Sequence, residues 1–540
     1  MRLTAETYFG AAQKRRLISA LFLALAVLIA YEASQYIVSE DYNGAVYAVG
    51  ALLGCATVVV ILNDWRRGVY ILLAWLLFED FVRKFMGNNM AIYFAKDALT
   101  IVTMLSFIAS YLRKRAVSFR PPFIVPLLIF IWLGVIQMFN PASPHLIFGL
   151  LGIKLYYFYI PLMFAGYALP ESEADLRKFF WFNLFVANVI AGLGIAQAVL
   201  GHTFLNPAVA ADELRDLSTL YRTAPISGVQ VYRPTSVFVS DGRFASYMTL
   251  SLLMAFGFSG YLLLKNGKGK GISAAGLAVL AIACVLSASR GAIMWSGGSL
   301  LVASAAFLWG APWRQRKVVK VLRTLWRTSL VIFAGILLLL LLNPDALLDR
   351  VAFYSETMSP NSSQSELGYR VYDYPIQNFV AAFNNPRWPL GYGIGTESLG
   401  VQYVAKFFHA TSPVGAVENG YGTLILEFGI FGLFAWILMT VYVVKGCWKI
   451  VRGLKGTVFF PIAFVIGWYA FLVLFPFAFN GMVSYQNFVT NAYLWLLIGF
   501  LFRIPAFLPV RSAELGPDGL AATNTRRTTV RTVIQAIEHV

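Results

Sequence analysis

Apolar runs long enough to cross a bilayer recur along most of this 540-residue chain. Hydrophobic residues make up 59% of the sequence and charged residues only 13%, so these runs are rarely interrupted. A transmembrane helix needs about 17 to 25 such residues, and in lipid every backbone polar group must be bonded within the protein. The sequence therefore predicts an all-α polytopic membrane protein with about 14 transmembrane helices (12–14).

The predicted spans are 17–37, 45–62, 68–82, 97–112, 122–139, 148–168, 179–200, 244–264, 272–288, 292–310, 328–343, 419–444, 458–479 and 488–502. The third is short and contains Glu79 and Asp80, which leaves the count open by one or two. Between the eleventh and twelfth spans the sequence predicts a large helical loop on the outer side of the membrane.

Lysines and arginines cluster beside alternate ends of the spans, as the positive-inside rule requires. With the N-terminus in the cytoplasm, the inner segments contain 30 of the 43 cations but only 8 of the 26 acids. We therefore predict that both termini are cytoplasmic. The net charge of +17 is then largely a topology signal, which argues against nucleic acid as a partner.

These assignments divide the chain into six parts. They are an N-terminal bundle of about seven spans (1–200), an outer loop (201–243), central spans with an outward turn at Arg290 (244–343), the large outer loop (344–418), C-terminal spans (419–502) and a polar cytoplasmic tail predicted to be disordered (503–540).

The large outer loop has its own helical patterns. Ile376, Phe379, Val380 and Phe383 follow helical spacing, and a second apolar face carries Tyr403, Val404, Phe407 and Phe408. The glycine run 391–395 lies between them and predicts a turn. Two amphipathic helices around a turn are predicted to lie on the membrane surface over a cavity.

Arg290 interrupts the apolar sequence in the triplet Ser289-Arg290-Gly291, which separates two predicted spans at their outer ends. A permanent charge at this depth is costly, so it should face a polar cavity or a charged ligand. The position favours an anionic ligand at the outer leaflet. The alternative is a structural ion pair or a clamp on the backbone.

Several familiar chemistries have no support in the sequence. The segment 266–271 has glycines and lysines but lacks P-loop spacing, and the four histidines form no HExxH motif. We therefore predict neither a metal site nor a cofactor. Since no cytoplasmic segment is large enough for a nucleotide-sugar domain, an activated substrate should arrive attached to lipid.

Outward motifs then follow in a characteristic order. They are Tyr232-Arg233-Pro234-Thr235-Ser236-Val237-Phe238, Ser289-Arg290-Gly291, Gly368-Tyr369-Arg370, Pro389-Leu390-Gly391-Tyr392-Gly393-Ile394-Gly395, Glu418-Asn419-Gly420-Tyr421 and Leu426-Glu427-Phe428-Gly429-Ile430-Phe431-Gly432-Leu433. In order and spacing this part of the chain, about 230 to 440, resembles the O-antigen ligase and Wzy-type polymerase family of bacterial envelope glycosyltransferases.

The resemblance implies glycan transfer from undecaprenyl diphosphate at the periplasmic face of the bacterial inner membrane. Arginines can neutralise a diphosphate leaving group bidentately without a metal. Arg290 is accordingly assigned to the catalytic set, and Arg233 and Arg370 are assigned to substrate binding. For Arg233 and Arg370, which lie in polar loops, an ordinary solvated charge is the alternative.

The chain departs from the ligase pattern before Asn419, where a histidine followed by Asn or Ser is expected and Glu418 stands instead. A partly desolvated Glu418 would have a raised pKa and could serve as the base. His409 is a second candidate base. Pairing of Glu418 with an arginine, and a surface role for His409, are the alternatives.

The remaining motif residues receive supporting roles. Asn419 and Tyr421 are predicted to bind sugar hydroxyls, although an interfacial tyrosine is also a common membrane anchor. Glu427 needs a partner within its span, and Gly429 and Gly432 should allow close helix packing. Lys154 and the triplet Asp241-Gly242-Arg243 are predicted to be charges behind the site.

The favoured interpretation is a repeat-unit polymerase for exopolysaccharide or O-antigen, since the ligase histidine is missing. An O-antigen ligase acting on lipid A-core is the alternative within the family. Its partners would be an undecaprenyl-diphosphate-linked oligosaccharide, a glycan acceptor, the lipid bilayer, a flippase and a chain-length regulator. A polysaccharide or small-molecule transporter, or a non-catalytic scaffold, is the alternative from another class.

Overall fold

The computed structural model describes residues 42–86, 90–113, 118–207, 220–265, 267–312, 343–359, 368–398 and 417–508, together with a few residues between 326 and 341 and residue 401. The predicted first span, seven of the sixteen residues of the predicted eleventh span and the tail beyond residue 508 lie outside the described residues.

Helices dominate the described part of the chain. They are α1 (Tyr42–Asn63), α2 (Trp65–Met86), α3 (Met90–Leu112), α4 (Ile124–Met138), α5 (Leu146–Tyr157), α6 (Leu162–Ala168), α7 (Glu173–Leu200), α8 (Asp241–Lys265), α9 (Lys270–Leu286), α10 (Arg290–Gly310), α11 (Pro344–Met358), α12 (Tyr374–Ala381), α13 (Gly420–Gly453), α14 (Phe460–Leu472), α15 (Ala478–Asn480), α16 (Val483–Gln486) and α17 (Phe488–Arg503). Short π-helical turns at Tyr369–Asp373 and Val473–Phe477 precede α12 and α15, and short 3₁₀ turns follow α12 and α17.

Within the described residues, eight helical segments are long and apolar enough to cross a membrane. They are Ala91–Leu112, Leu146–Ala168, Glu173–Leu200, Asp241–Lys265, Arg290–Gly310, Gly420–Gly453, Phe460–Asn480 and Phe488–Phe507. Shorter apolar helices occupy Ala48–Asn63, Ile124–Met138 and Lys270–Leu286, where further spans were predicted. The all-α, multi-pass class is therefore confirmed, and the total of fourteen spans stays a prediction.

The predicted third span forms part of one continuous helix, α2, of 22 residues. Glu79 and Asp80 do not interrupt it, because both side chains are buried in protein. An ionised carboxylate inside a bundle needs such enclosure by polar partners.

The chain divides into two compact units. The first contains residues 42–73 and 94–113 of the described chain. Within it the Ser106 hydroxyl donates to the carbonyl of Ile61 at 2.8 Å, and the rings of Trp65 and Phe107 lie 4.9 Å apart. This hydrogen bond and this ring contact join α3 to α1 and to the beginning of α2.

The second unit contains the rest of the described residues. Helix α8 lies deep inside it, and 89% of its most apolar 18-residue stretch is buried. Helices α6 and α17 approach so closely that a Cβ atom on Gly166 would lie 2.1 Å from the carbonyl oxygen of Leu496. A Cβ on Gly499 would likewise lie 2.0 Å from the carbonyl oxygen of Met163, so only glycine fits at either position.

The described chain also contains two three-residue strands, β1 (Tyr221–Thr223) and β2 (Gln230–Tyr232), in the loop that follows α7. They pair antiparallel, with Tyr221 opposite Tyr232 and Arg222 opposite Val231. We call residues 221–232 the hairpin. The sequence prediction assigned no secondary structure to this loop, and the strands are a small departure from a purely helical fold.

Candidate functional site

A cavity of about 850 Å³ lies beside the first three turns of α10. Its polar wall includes Arg222, Arg290, Thr357 and Asn480. Its apolar wall is formed by Met294, Trp295, Val302, Met358, Val371, Pro375, Trp468, Phe475, Pro476 and Phe479. The cavity therefore combines two guanidinium groups with a long aromatic and aliphatic surface.

Arg290 is the first residue of α10, and Ser289 caps this helix by accepting a hydrogen bond from the backbone N–H of Ala292 at 3.3 Å. The positive end of the helix dipole therefore lies beside the guanidinium. Arg290 also lies over the ring of Phe353 in α11, 5.7 Å from its centre. Arg290 therefore borders the cavity, and its contact with an anionic ligand stays a prediction.

Sequence reasoning missed Arg222, which lies in β1 and lines the same cavity. The motif that begins at Tyr232 instead predicted that Arg233 binds the substrate. The pairing of β1 with β2 brings Arg222 close to that motif, and three-residue strands leave almost no periodic signal in a sequence.

Arg233 forms an ion pair with Asp241 at the start of α8. Both side chains are largely buried. Burial lowers the pKa of Arg233 and Asp241 opposes that effect. Arg233 is thus engaged by an acid of the same chain, and the structure favours an ion-pair role over the solvated charge that the sequence left open.

The other predicted cation and the second candidate base contribute less. The backbone of Arg370 lies in the π-helical turn before α12, next to the cavity residue Val371. Its side chain and the whole of His409 lie outside the described residues. Their roles in substrate binding and in catalysis stay predictions.

Glu418 lies immediately before α13 and is exposed, so the predicted partial desolvation of this carboxylate is wrong. Its Oε2 atom accepts a hydrogen bond from the Tyr374 hydroxyl at 2.6 Å. Its backbone N–H donates to Oδ1 of Asn378 at 3.2 Å. These contacts attach Glu418 to α12, which is the helix that carries the cavity residue Pro375.

Asn419 is fully buried and caps α13. Its Oδ1 accepts from the N–H of Gly422 at 2.8 Å and its Nδ2 donates to the carbonyl of Pro375 at 3.0 Å. Both ends of the amide are therefore occupied by the protein, which corrects the predicted contact with sugar hydroxyls. The role of Asn419 is to join the start of α13 to a wall of the cavity.

Tyr421 is also buried, and its ring packs edge-on against Phe475 and Phe479 at 6.4 and 5.3 Å. Both phenylalanines line the cavity. Tyr421 therefore supports the apolar wall from behind, and its predicted contact with sugar hydroxyls stays a prediction.

Helix α13 breaks at Gly429, which has φ 74° and ψ −173°. The glycine run of the outer loop binds at this break. The Tyr392 N–H donates to the backbone carbonyl of Leu426 at 2.7 Å, and the Gly393 N–H donates to the backbone carbonyl of Glu427 at 3.0 Å. The Ile430 N–H donates to the backbone carbonyl of Pro389 at 3.3 Å. Gly429 thus provides a positive φ and a close approach to loop backbone, not the helix packing predicted from sequence.

Glu427 is fully buried beside this joint, by which we mean the break at Gly429 together with the loop residues 389–393 that bond to it. Its Oε1 atom accepts from the N–H of Glu397 at 2.9 Å and from the Ser398 hydroxyl at 2.7 Å. Gln486 of α16 donates in turn to Ser398 at 2.9 Å. The partners that the sequence required for Glu427 are therefore Glu397 and Ser398 of the loop between α12 and α13, and the predicted glycine turn is largely buried.

A second group of buried charges surrounds Asp80 of α2. Arg243 donates to both carboxylate oxygens of Asp80 at 2.8 and 2.6 Å, and Arg83 donates to Oδ1 at 3.2 Å. Lys84 donates to the Thr235 hydroxyl at 2.8 Å and to the Ser236 carbonyl at 2.5 Å. We call Asp80, Arg83, Lys84 and Arg243 the Asp80 cluster.

The Asp80 cluster holds the segment after β2 in place. The amide oxygen of Gln197 also accepts the N–H groups of Thr235 and Ser236 at 2.8 and 2.7 Å. The motif from Tyr232 to Phe238 is therefore largely fixed by buried partners on α2 and α7.

Lys154, a second predicted supporting charge, lies over the ring of Tyr93 at 4.8 Å.

Compared with known proteins, the chain matches no protein-family model, no curated protein and no solved structure.

Proposed function

We propose that this protein is a glycosyltransferase of bacterial surface polysaccharide synthesis that transfers glycan from undecaprenyl diphosphate at the periplasmic face of the inner membrane. One observation carries the proposal: Arg222 and Arg290 line the same cavity as an extended apolar wall. A polyprenyl diphosphate would match both parts of this lining, because its two phosphates are anionic and its tail is a hydrocarbon. Arginine is well suited to bind such phosphates bidentately.

The dimensions of the cavity wall fit an elongated lipid. Lining residues on α10 run from Arg290 to Val302, which corresponds to about 18 Å along a helix. Trp295 and Trp468 contribute large aromatic surfaces along this length, and the Trp468 indole donates to the Ser299 hydroxyl at 3.0 Å. A hydrocarbon tail in contact with this wall would leave the phosphates beside the arginines.

In the proposed reaction, a hydroxyl of the acceptor glycan attacks the anomeric carbon of the donor sugar. The new glycosidic C–O bond forms as the bond from that carbon to the diphosphate oxygen breaks, and the electron pair leaves with the diphosphate. Arg290 and Arg222 stabilise the negative charge that develops on this leaving group. Glu418 takes the proton of the acceptor hydroxyl.

Polymerisation of repeat units is favoured over ligation to lipid A-core. The position where the ligase pattern has a histidine is occupied by Glu418. Its carboxylate is exposed and is oriented by Tyr374, so a soluble glycan end can reach it from the periplasmic side.

A transporter is the second candidate, and the break in α13 at Gly429 favours it, since broken helices commonly form substrate sites in transporters. At this break, however, backbone groups of Leu426, Glu427 and Ile430 bond to the outer loop. The joint therefore resembles a structural attachment more than a ligand site.

Replacing Arg290 tests the proposed function. Arg290→Ala should reduce polymer formation about 100- to 1000-fold, because one charge-stabilising group is lost from the transition state. Lipid-linked repeat units should accumulate while protein abundance stays normal. The measurement is long-chain polysaccharide on gels, together with lipid-linked oligosaccharide extracted from membranes. Normal polymer would overturn the assigned role of Arg290.

Glu418→Gln tests the proposed base. Glutamine keeps an oxygen that can accept from Tyr374 but cannot take a proton, so polymer formation should fall about 100-fold or more at unchanged abundance. Asp345→Asn is the matched control, because Asp345 is an exposed carboxylate on the same outer loop. Unchanged chain length in Glu418→Gln would remove this residue from the mechanism.

A further inference from the structure

Helix α11 contacts both segments that bring arginines to the cavity. Arg350, which is almost fully buried, donates from Nε to the carbonyl of Leu286 at 3.0 Å and from a terminal nitrogen to the carbonyl of Tyr232 at 2.8 Å. Leu286 ends α9, four residues before Arg290, and Tyr232 ends the hairpin that contains Arg222. One side chain therefore connects the two arginine-bearing segments.

Apolar packing strengthens the same connection. Phe353 of α11 forms a buried cluster with Ala224 and Val231 of the hairpin and with Ala288 from the turn before α10. The Tyr354 hydroxyl donates to the carbonyl of Val285 at 2.9 Å. Helix α11 is therefore packed between the hairpin and the turn that leads to Arg290.

The far end of the hairpin is held by Glu356. Its Oε2 atom accepts the backbone N–H groups of Ile226 and Ser227 at 2.8 and 3.2 Å. The hydrogen bonds from Ser227 and from these backbone groups hold the pKa of Glu356 below its usual value. The residues that follow Glu356, Thr357 and Met358, line the cavity.

We propose that Glu356 is a positioning residue: it fastens the tip of the hairpin to α11 and so fixes Arg222 at the cavity that Arg290 also lines. Glu356 acts through Arg222 and makes no contact with the ligand of its own. Only the identity of that ligand, a polyprenyl diphosphate, rests on the proposed function.

Glu356 is suited to a test because it is partly exposed and its replacement should leave the fold intact. Glu356→Ala removes the acceptor of two backbone N–H groups. Glu356→Gln loses the bond from Ser227 to Oε1 at 3.2 Å but keeps one oxygen, which in the place of Oε2 can accept from both N–H groups, so this variant should restore most of the attachment. Asp345→Ala is the control, because Asp345 lies on the same helix eleven residues away, or about 16 Å.

The first measurement is hydrogen–deuterium exchange of a peptide that contains Ile226 and Ser227. Exchange should be faster in Glu356→Ala than in the wild type, Glu356→Gln and Asp345→Ala. Equal exchange in all four proteins would overturn the proposal without reference to any ligand.

The second measurement is the affinity for farnesyl diphosphate, a short soluble probe, by calorimetry in detergent. Arg222→Ala should weaken binding about tenfold or more, as expected for loss of a charged hydrogen bond, and Glu356→Ala should weaken it about three- to tenfold. Because Glu356 acts through Arg222, the double variant should bind like Arg222→Ala.

Additive losses in the double variant, or normal affinity in Glu356→Ala, would overturn the positioning role. Failure of the wild-type protein to bind farnesyl diphosphate would instead contradict the proposed function. In that case the exchange measurement still decides whether Glu356 holds the hairpin.

Discussion

Arg243 and Arg290 are both arginines at the first turn of a membrane-spanning helix, but their surroundings differ. Arg243 donates to both oxygens of the buried Asp80, and Arg83 donates to the same carboxylate. Arg290 lines a cavity of about 850 Å³ that Arg222 also lines. The first arginine is matched by an acid inside the bundle, while the second borders a volume that an anion can enter.

This difference shows what a buried cation does and does not reveal. Placing a guanidinium near the membrane is costly for either residue, so each charge must be compensated. Compensation by an internal carboxylate gives a structural contact, and compensation at an open cavity suits a ligand. Arg243 and Asp80 are 163 residues apart, so the sequence could not distinguish the two cases.

The largest expected effect on stability comes from breaking the Asp80 cluster. Asp80→Ala should destabilise the protein by about 3 to 5 kcal/mol, because it leaves the partly buried Arg243 and the buried Arg83 without their shared acid. Arg290→Ala should leave stability near the wild-type value. The measurement is abundance in membranes together with thermal aggregation of the detergent-extracted protein.

Normal abundance of Asp80→Ala would mean that the cluster is not structural. A loss of abundance in Arg290→Ala as large as that of Asp80→Ala would mean that Arg290, like Arg243, has a structural role.

Lysine replacements should give a smaller and sharper contrast. Arg243→Lys keeps the charge beside Asp80 but loses the planar guanidinium that lies 5.1 Å from the centre of the Phe488 ring, and we expect a loss of about 1 to 2 kcal/mol in stability. Arg290→Lys keeps the charge beside the cavity, and we expect normal stability with polymer formation between that of the wild type and Arg290→Ala.

Thermal aggregation and gel analysis of polymer on the same two preparations would check this. An Arg243→Lys protein with normal stability but altered polymer would reverse the assignment of the two sites.

The fold class followed from the sequence because apolar length is a local property, whereas the outward position of Arg290, inferred from the alternation of charge along the chain, stays a prediction. The sequence also marked Glu418 as a candidate base, but the exposure of this carboxylate depends on how α12 packs at the start of α13. Local patterns do not encode such packing.

Arg222, Glu356 and the joint at Gly429 were not predictable for the same physical reason. Glu356 bonds to backbone groups about 130 residues away, and the loop at Pro389 bonds across about 40 residues to Ile430. A hydrogen bond to a backbone group does not depend on the residue type of the partner, so the sequence does not show where it forms. A glycine such as Gly429 marks an unusual conformation without saying what occupies the space beside it.

The joint between the glycine run and the broken helix has a consequence for engineering. Since the carbonyls of Leu426 and Glu427 accept the N–H groups of Tyr392 and Gly393, and the Ile430 N–H donates to the carbonyl of Pro389, this part of the loop and the first turns of α13 form one structural element. A chimera that exchanges the loop alone would separate the two halves of this element. Specificity swaps between related chains should therefore carry residues 344 to 453 as a single cassette.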